Sequence, residues 1–550
     1  MKKKIFALLL VVLMLVPFVV ACGGTGTNTD SNSNTNTNTN TESTTPGSTD
    51  TTTDSSTGGQ ETVVKVDTKT DKSQKWSGKT LDVLASGWGQ DAYGATSSWS
   101  QPELYVNSAT DDRHMGADIN SAVWARQLRI QKDYGVTMKW HQAKSNASMQ
   151  NEMQTGLRAG YAKYHLATPR AYEAQALIAA DTVYDLANSK YIDLTKSYYN
   201  QSAVDSYSIY GHTFYVSGDF SYLDEYTSFV LFYNQAMVEN EDYEIYFGNL
   251  YNKVRNGKWT LAELIKLCSV EGLAGNIDNN EGLQDTDAYT FAAGGLSGYF
   301  QASKIQQVSV DKSSGDKNTY CYRITLNDNP TAVASLVSEL VKLRDSEWSR
   351  SSWEGGYGAM LTALTSGRVL FYQEVVQKIL EFPAQTETFK IGVLPLPMLN
   401  EDQDGYATAF ASQTTVLCVP KANNDREMGE YFLDVLSWSG QDYVMRAFTE
   451  TLESRLYDDG ESSREDALEM LTDYIFPNII YDQGYIYSYP GQDIMTSVQN
   501  DTISRATSSS SDFTTLYTEA FKTANDKLNH KDTGWNTYAK NYTDEIKVEG

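Results

Sequence analysis

The sequence is poor in the residues from which most catalytic and metal centres are built. Its 550 residues hold five histidines and four cysteines. The histidines are scattered, and none shows the H-E-x-x-H spacing of a zinc hydrolase. Four cysteines cannot make the bridge framework of a disulfide-stapled domain. No glycine-rich phosphate loop is present. The segment GGLSGY stops short of a G-x-S-x-G nucleophile elbow, because Tyr299 stands where the last glycine belongs. The Asp-rich stretches DNNEGLQDTD and NEDQDG do not keep the ligand spacing of an EF-hand loop. No cofactor and no metal is therefore expected. Positive charge is also scarce: 44 Lys and Arg against 70 Asp and Glu leave a formal charge of -26. That balance excludes nucleic acid, whose phosphates need a basic surface, and disfavours a strongly anionic ligand. The acidity itself suits solubility outside the cell.

What is there begins with a seam. Lys2, Lys3 and Lys4 precede an uninterrupted apolar run over residues 5–21, which ends in small residues and Cys22. This is the layout of a secretory signal peptide. A membrane-spanning anchor is the alternative, and the run is at the short end of the roughly 17 to 25 residues that spanning requires. Val19-Val20-Ala21-Cys22 resembles a bacterial lipobox. The resemblance implies that residues 1–22 are a lipoprotein signal, that Cys22 carries the lipid, and that the protein is held on the extracellular face of the cell membrane by that lipid alone. Residues 23–75 read as a tether. As far as about Gln60 they are Thr, Ser, Asn and Gly, with too little apolar surface to offset the entropy of ordering. A flexible coil of about 40 residues spans roughly 35 Å.

The remainder is globular in composition and too long for one core, which predicts two lobes. Tyrosine is abundant at 37 residues, and an aromatic ring with a polar tip suits wet recognition surfaces as well as cores. Cys268, on the apolar stripe of LAELIKLC, and Cys418, in TTVLCV, read as core residues, with a Cys268–Cys321 bridge as the alternative for the first. KTLDVLAS, VTMKWHQ and KYHLATP read as strands. Between them SAVWARQLRIQKDYG, stopped by Gly135, and ASMQNEMQTGLRAG read as amphipathic helices. The β-α-β-α-β order predicts a parallel sheet covered by helices, with ligands bound beyond the carboxyl ends of its strands.

QLRIQKDYGVTMKW, LATPRAYEAQALIAADTVYDL, IYGHTFYVSGDFSYLDEYTSFVLFYNQAMV, NGKWTLAELIKLC, SGRVLFYQE and FKIGVLPLPMLNEDQDGYATAFASQTTVLCVPK follow one another in this chain. Their order and spacing resemble those of the extracellular solute-binding proteins of sugar-type ABC importers. The resemblance implies an α/β, two-lobe, type II periplasmic-binding-protein-like fold with hinge crossings. It implies a first lobe of residues 76–218 with 412–445 and a second of 219–411 with 446–550. It further implies a monomer, not an enzyme, that closes on a carbohydrate and delivers it to the permease of an ABC transporter. By position in the pattern, the ligand-binding residues implied are Trp88, Arg170, Tyr172, Asp219, Tyr299, Trp353, Tyr357, Tyr372, Gln373, Glu374 and Phe410. His165 departs from the pattern, which commonly has Asp there, and Tyr372 stands near a position often held by Trp.

The chemistry of that set fits a sugar, whose C–H faces pack on aromatic rings and whose hydroxyls need paired donors and acceptors. Each aromatic has a second reading as core, and Asp219 and Glu374 as a helix cap, ion pair or solvated face. The alternative function is a surface carbohydrate-active hydrolase using two carboxylates, or a glycan-binding lipoprotein. A polyamine, phosphate ester or peptide is the alternative ligand.

Overall fold

The computed structural model describes residues 64–86, 103–109, 117–143, 146–160, 163–275, 286–325, 328–351, 356–411, 414–460, 463–486, 525, 528–531 and 534–544. Cys22 and the signal sequence lie outside the described residues.

A first sheet is built from β1 (Thr80–Ala85), β2 (Thr137–Gln142) and β3 (Leu166–Thr168), all parallel, in the order β2-β1-β3. Leu81, Val83 and Leu84 are fully buried without alternation, the pattern of a strand covered on both faces. The crossovers are the two expected helices, α1 (Ala117–Tyr134) and α2 (Asn146–Arg158). Gly135 ends α1 with φ +67°, and a Cβ there would lie 2.3 Å from Ser77 Oγ, so the stop requires glycine twice over. A further helix, α3 (Ala171–Ala179), follows β3. The TTVLCV segment returns to the same sheet through antiparallel bridges Ala167↔Cys418, Arg170↔Thr415 and Val216↔Leu417.

The second sheet has five strands in the order β10-β4-β9-β5-β8. These are β4 (Phe229–Asn234), β5 (Tyr289–Ala293), β8 (Ser349–Ser351), β9 (Val369–Val375) and β10 (Ile391–Pro395), with β6 (Val308–Asp311) and β7 (Cys321–Ile324) pairing separately as a hairpin. Strands β5, β8 and β9 are parallel, and β4 is antiparallel to both its neighbours. Cys268, Cys321 and Cys418 are free thiols; Cys268 and Cys418 are buried as expected, and no Cys268–Cys321 bridge forms.

Two boundaries differ from expectation. Residues 64–75, within the stretch read as tether, make defined contacts. Lys65 Nζ donates to Ser189 O at 2.6 Å, Val66 N to Lys190 O at 2.7 Å, and Thr68 Oγ1 to buried Asp434 at 2.6 Å. Of these only Thr68 is buried, and its hydroxyl is polar, so composition gave no sign of that burial. At the other end, residues 534–544, read as second lobe, bridge the β7 strand, where Asn536 exchanges hydrogen bonds with the Tyr322 backbone, and the first sheet's elements. The Asp185 amide donates to Tyr542 Oη at 3.0 Å, Lys421 Nζ to Thr543 O at 3.1 Å, and the helix Trp535–Lys540 packs on α3.

The chain passes between the sheets three times. Residues 216–229 run beside residues 408–411 and 414–417, with Phe229 N donating to Ala409 O at 2.8 Å and Ala411 N to Thr227 O at 3.0 Å. The third passage is α4 (Arg426–Gly440), which runs through a π-type turn at Gln441–Met445 into the helix Arg446–Glu453. It abuts the first at Gly440, where a Cβ would lie 2.1 Å from Asp219 O. Apolar packing is continuous across these passages, from Leu84 and Ala167 through Tyr222 and Tyr226 to Leu231 and Phe371.

Candidate functional site

The carboxyl ends of β1, β3 and β9 all point to the crossings. At the end of β1, Ser86 Oγ donates to Glu173 Oε2 at 2.8 Å, and the same oxygen accepts Arg170 N at 2.7 Å, which fixes the turn from β3 into α3. The Arg170 guanidinium turns inward. Its Nη1 donates to Thr415 Oγ1 at 2.7 Å and lies 3.5 Å from Glu103 Oε1. Thr415 Oγ1 in turn donates to that Glu103 oxygen at 2.9 Å. Arg170 and Glu103 are both fully buried. Burial pushes the Glu103 carboxyl up, and the Arg170 charge opposes it. Arg126, equally buried, donates to the carbonyls of Phe220 at 2.8 Å, Glu103 at 3.0 Å and Leu104 at 2.8 Å, which pins the first crossing to the first sheet. Its own pKa is lowered by burial to about 10.

The first crossing carries three carboxylates within seven residues: Asp219, Asp224 and Glu225. Asp219 is partly exposed and accepts Gln441 Nε2 of the third crossing at 2.7 Å. Burial pushes it up to about 6, and the Gln441 hydrogen bond opposes that. Asp224 is buried and accepts three hydroxyls, from Ser217, Thr414 and Tyr481. Burial pushes it up to about 6 against these bonds. Glu225, partly exposed, is pushed well up by burial and then by the charges of Asp224 and Asp219.

From the second sheet, the end of β9 joins this cluster: Val376 N donates to Ser228 O and Gln377 N to Tyr226 O, each at 2.9 Å. Glu374 accepts Tyr372 Oη at 3.2 Å and is raised by burial, with Lys378 opposing.

The residues expected to bind ligand fall into three groups. Asp219 lies at the crossings with solvent access, and Glu374 and Gln373 lie close by at the end of β9, almost wholly buried. Arg170, Tyr172, Tyr299, Tyr372 and Phe410 lie in the interior. Arg170 serves the buried ion pair. Phe410 packs on Tyr481 with ring centroids 4.9 Å apart, and Tyr299 is wholly enclosed. All five side chains are buried in this arrangement, and Tyr372 lies on β9, which is buried at every position. Trp88 and Trp353 lie outside the described residues, as does the side chain of Tyr357. The expected set omits Glu103, Arg126, Asp224, Glu225, Gln441 and Tyr481. The signal available for two of these was the run GDFSYLDEY, three acids among aromatics.

Chemically, the cluster is an acceptor-rich surface for hydroxyl donors. Among the described residues, no group of three or more His, Cys, Asp or Glu is placed to hold a metal ion, and no helix is long and apolar enough to cross a membrane.

No family model matches the chain, and no curated protein matches it. Solved structures do. One is the cyclic alpha-maltosyl-1,6-maltose binding protein from Arthrobacter globiformis, with 12% identity, TM-score 0.49, and coverage of 84% of this chain and 99% of that one. Another is the apo-form of RafE from Streptococcus pneumoniae, with 14% identity, TM-score 0.45, and coverage of 81% and 97%. A third is the maltose/maltodextrin-binding domain MalE from Bdellovibrio bacteriovorus, bound to maltotriose, with 11% identity, TM-score 0.45, and coverage of 82% and 99%.

Proposed function

We propose that this chain is a type II periplasmic-binding-protein-like solute receptor. In this reading it is lipid-anchored through Cys22 on the outer face of a bacterial membrane, captures a carbohydrate of oligosaccharide size, and passes it to an ABC transporter permease. The observation that carries the proposal is the meeting of three chain crossings at one carboxylate cluster, Asp219, Asp224 and Glu225, beside the carboxyl ends of β1, β3 and β9. Such a junction is where two α/β layers can rotate about a shared axis and close on a ligand. Ligand contacts from both sides then favour the closed state. Carboxylates with solvent access accept sugar hydroxyls, and Trp88, Trp353 and Tyr357 supply the aromatic faces in this reading.

The test is an oligosaccharide panel followed by calorimetry and product analysis. Saturable binding without new reducing ends supports the receptor. New reducing ends would replace it with a hydrolase. A response to polyamine, phosphate ester or peptide alone would replace the sugar. The anchor is tested separately: Cys22→Ala should abolish lipid labelling, and unchanged labelling refutes it.

A further inference from the structure

The geometry points to a proton-linked pivot. We propose that the crossings are held together when the Asp219, Asp224 and Glu225 cluster carries protons and loosen when it is fully ionised. The proposal rests on the two-lobe reading, but not on the identity of the ligand.

Asp224 is the hub. Its three hydroxyl partners come from different stretches of chain: Ser217 from the first crossing, Thr414 from the second, and Tyr481 from the segment that follows the third. Asp219 ties the first crossing to the third through Gln441, whose amide also reaches Ser197 Oγ at 3.4 Å. Between them Glu225 Oε2 is buried and makes no hydrogen bond within the described structure. Every passage between the sheets is therefore fastened to one short acidic segment.

What faces the three carboxylates themselves is uncharged or acidic, while the Arg126 guanidinium donates to the Phe220 carbonyl of the same segment. Asp219 meets Asp224 and the Gln441 amide; Glu225 meets Asp224 and Asp219; Tyr481, facing Asp224, also faces Tyr207 and Glu225. Tyr226 on the same turn faces Glu381 and Glu103. Arg126 and Arg170 act on Tyr222, and both are committed to Glu103. Three neighbouring carboxylates with no cation of their own repel one another when ionised, and burial adds to that cost. The strain is relieved in two ways: by taking up protons, or by opening the crossings so that water reaches the carboxylates.

The sign follows from linkage. Both Asp219 and Asp224 are raised to about 6 from an ordinary 3.8. The closed crossing thus binds more protons than an opened, hydrated one between those values. Its advantage is full below 3.8, falls by up to about tenfold in the opening equilibrium per pH unit for each proton as pH rises across that window, and is gone above about 6.

The experiment is hydrogen exchange of the full chain without ligand at pH 5.0 and 7.5, corrected for intrinsic exchange. Protection of residues 217–229, 407–411 and 414–415 should fall about tenfold or more at pH 7.5, while the buried strand β5, residues 289–293, stays constant as internal control. Glu225→Gln, at a partly exposed position, should shrink the pH step, and Asp219→Asn with Glu225→Gln should shrink it further, to the part that Asp224 alone carries. Crossing segments that track the control at both pH values overturn the proposal, as does a full step in the double variant. If the double variant does not fold, the wild type and Glu225→Gln still decide. Failure of the sugar panel leaves this result untouched.

Discussion

Gln441 Nε2 donates to Asp219 Oδ2 at 2.7 Å, so the turn that ends the third crossing is fastened to the start of the first. A neutral donor on a carboxylate that burial raises favours the ionised form. Gln441→Ala should therefore push Asp219 above about 6 and cost about 1.5 to 3 kcal/mol of stability at pH 8. Carboxyl NMR titration and urea unfolding read the two effects.

Gly440 allows the contact. A Cβ there would lie 2.1 Å from Asp219 O and 2.5 Å from Phe220 Cα, both backbone atoms that cannot swing aside. Gly440→Ala should lower stability by about 3 kcal/mol through overpacking. Gly358, where an added Cβ would meet nothing within 4 Å, is the control. Gly358→Ala in its helix should be neutral or stabilise by up to about 1 kcal/mol. Thermal melts of the two variants separate a packing requirement from a general intolerance of alanine.

Arg170 and Glu103 form a buried ion pair. Arg170→Met should cost about 3 to 5 kcal/mol, because it leaves a buried carboxylate without its cation, and adding Glu103→Leu should recover most of that. Equilibrium unfolding tests the coupling. Ligand affinity of the folded fraction should stay unchanged, and a selective loss of affinity would return Arg170 to the cleft.

A pH dependence of the opposite sign to the pivot's comes from Glu427. Hydrogen bonds from Lys190, Lys75 and the Tyr191 hydroxyl hold it down to about 2, below its ordinary 4.5. The stability it contributes is present above 4.5 and lost as pH falls toward 2. The melting-temperature difference between wild type and Glu427→Gln should be largest near pH 6 and vanish near pH 2.

Truncation tests the contacts made by residues 64–71. A chain starting at residue 63 should melt with the full-length protein. One starting at residue 72 deprives buried Asp434 of Thr68 Oγ1 and should lose about 2 kcal/mol.

The first sheet was legible because its evidence is local. The unalternating LDVLA of β1, the helical spacing of α1 and the stop at Gly135 each lie within a few residues of one another. Asp219 was found from its place in the chain. The role of Asp224 was not, because its partners Thr414 and Tyr481 are 190 and 257 residues away in sequence. Tyr299, Tyr372 and Phe410 were expected to line the cleft from their position in the family pattern. A strand such as β9, buried at every position, gives no alternation from which to tell an enclosed ring from an accessible one. The docking of residues 534–544 had no signal either, as it depends on Asp181, Asp185 and Lys421, contributed by distant parts of the chain.

The ordered strap at residues 64–71 has a mechanical consequence. Thr68 is fixed to Asp434 within α4, and Lys69 pairs at 2.9 Å with Asp442 in the turn that ends that helix. If the crossings act as the proposed hinge, a pull arriving through residue 64 is delivered to one of them, α4 and the turn that ends it. Tension on the amino-terminal side would drag the whole body along.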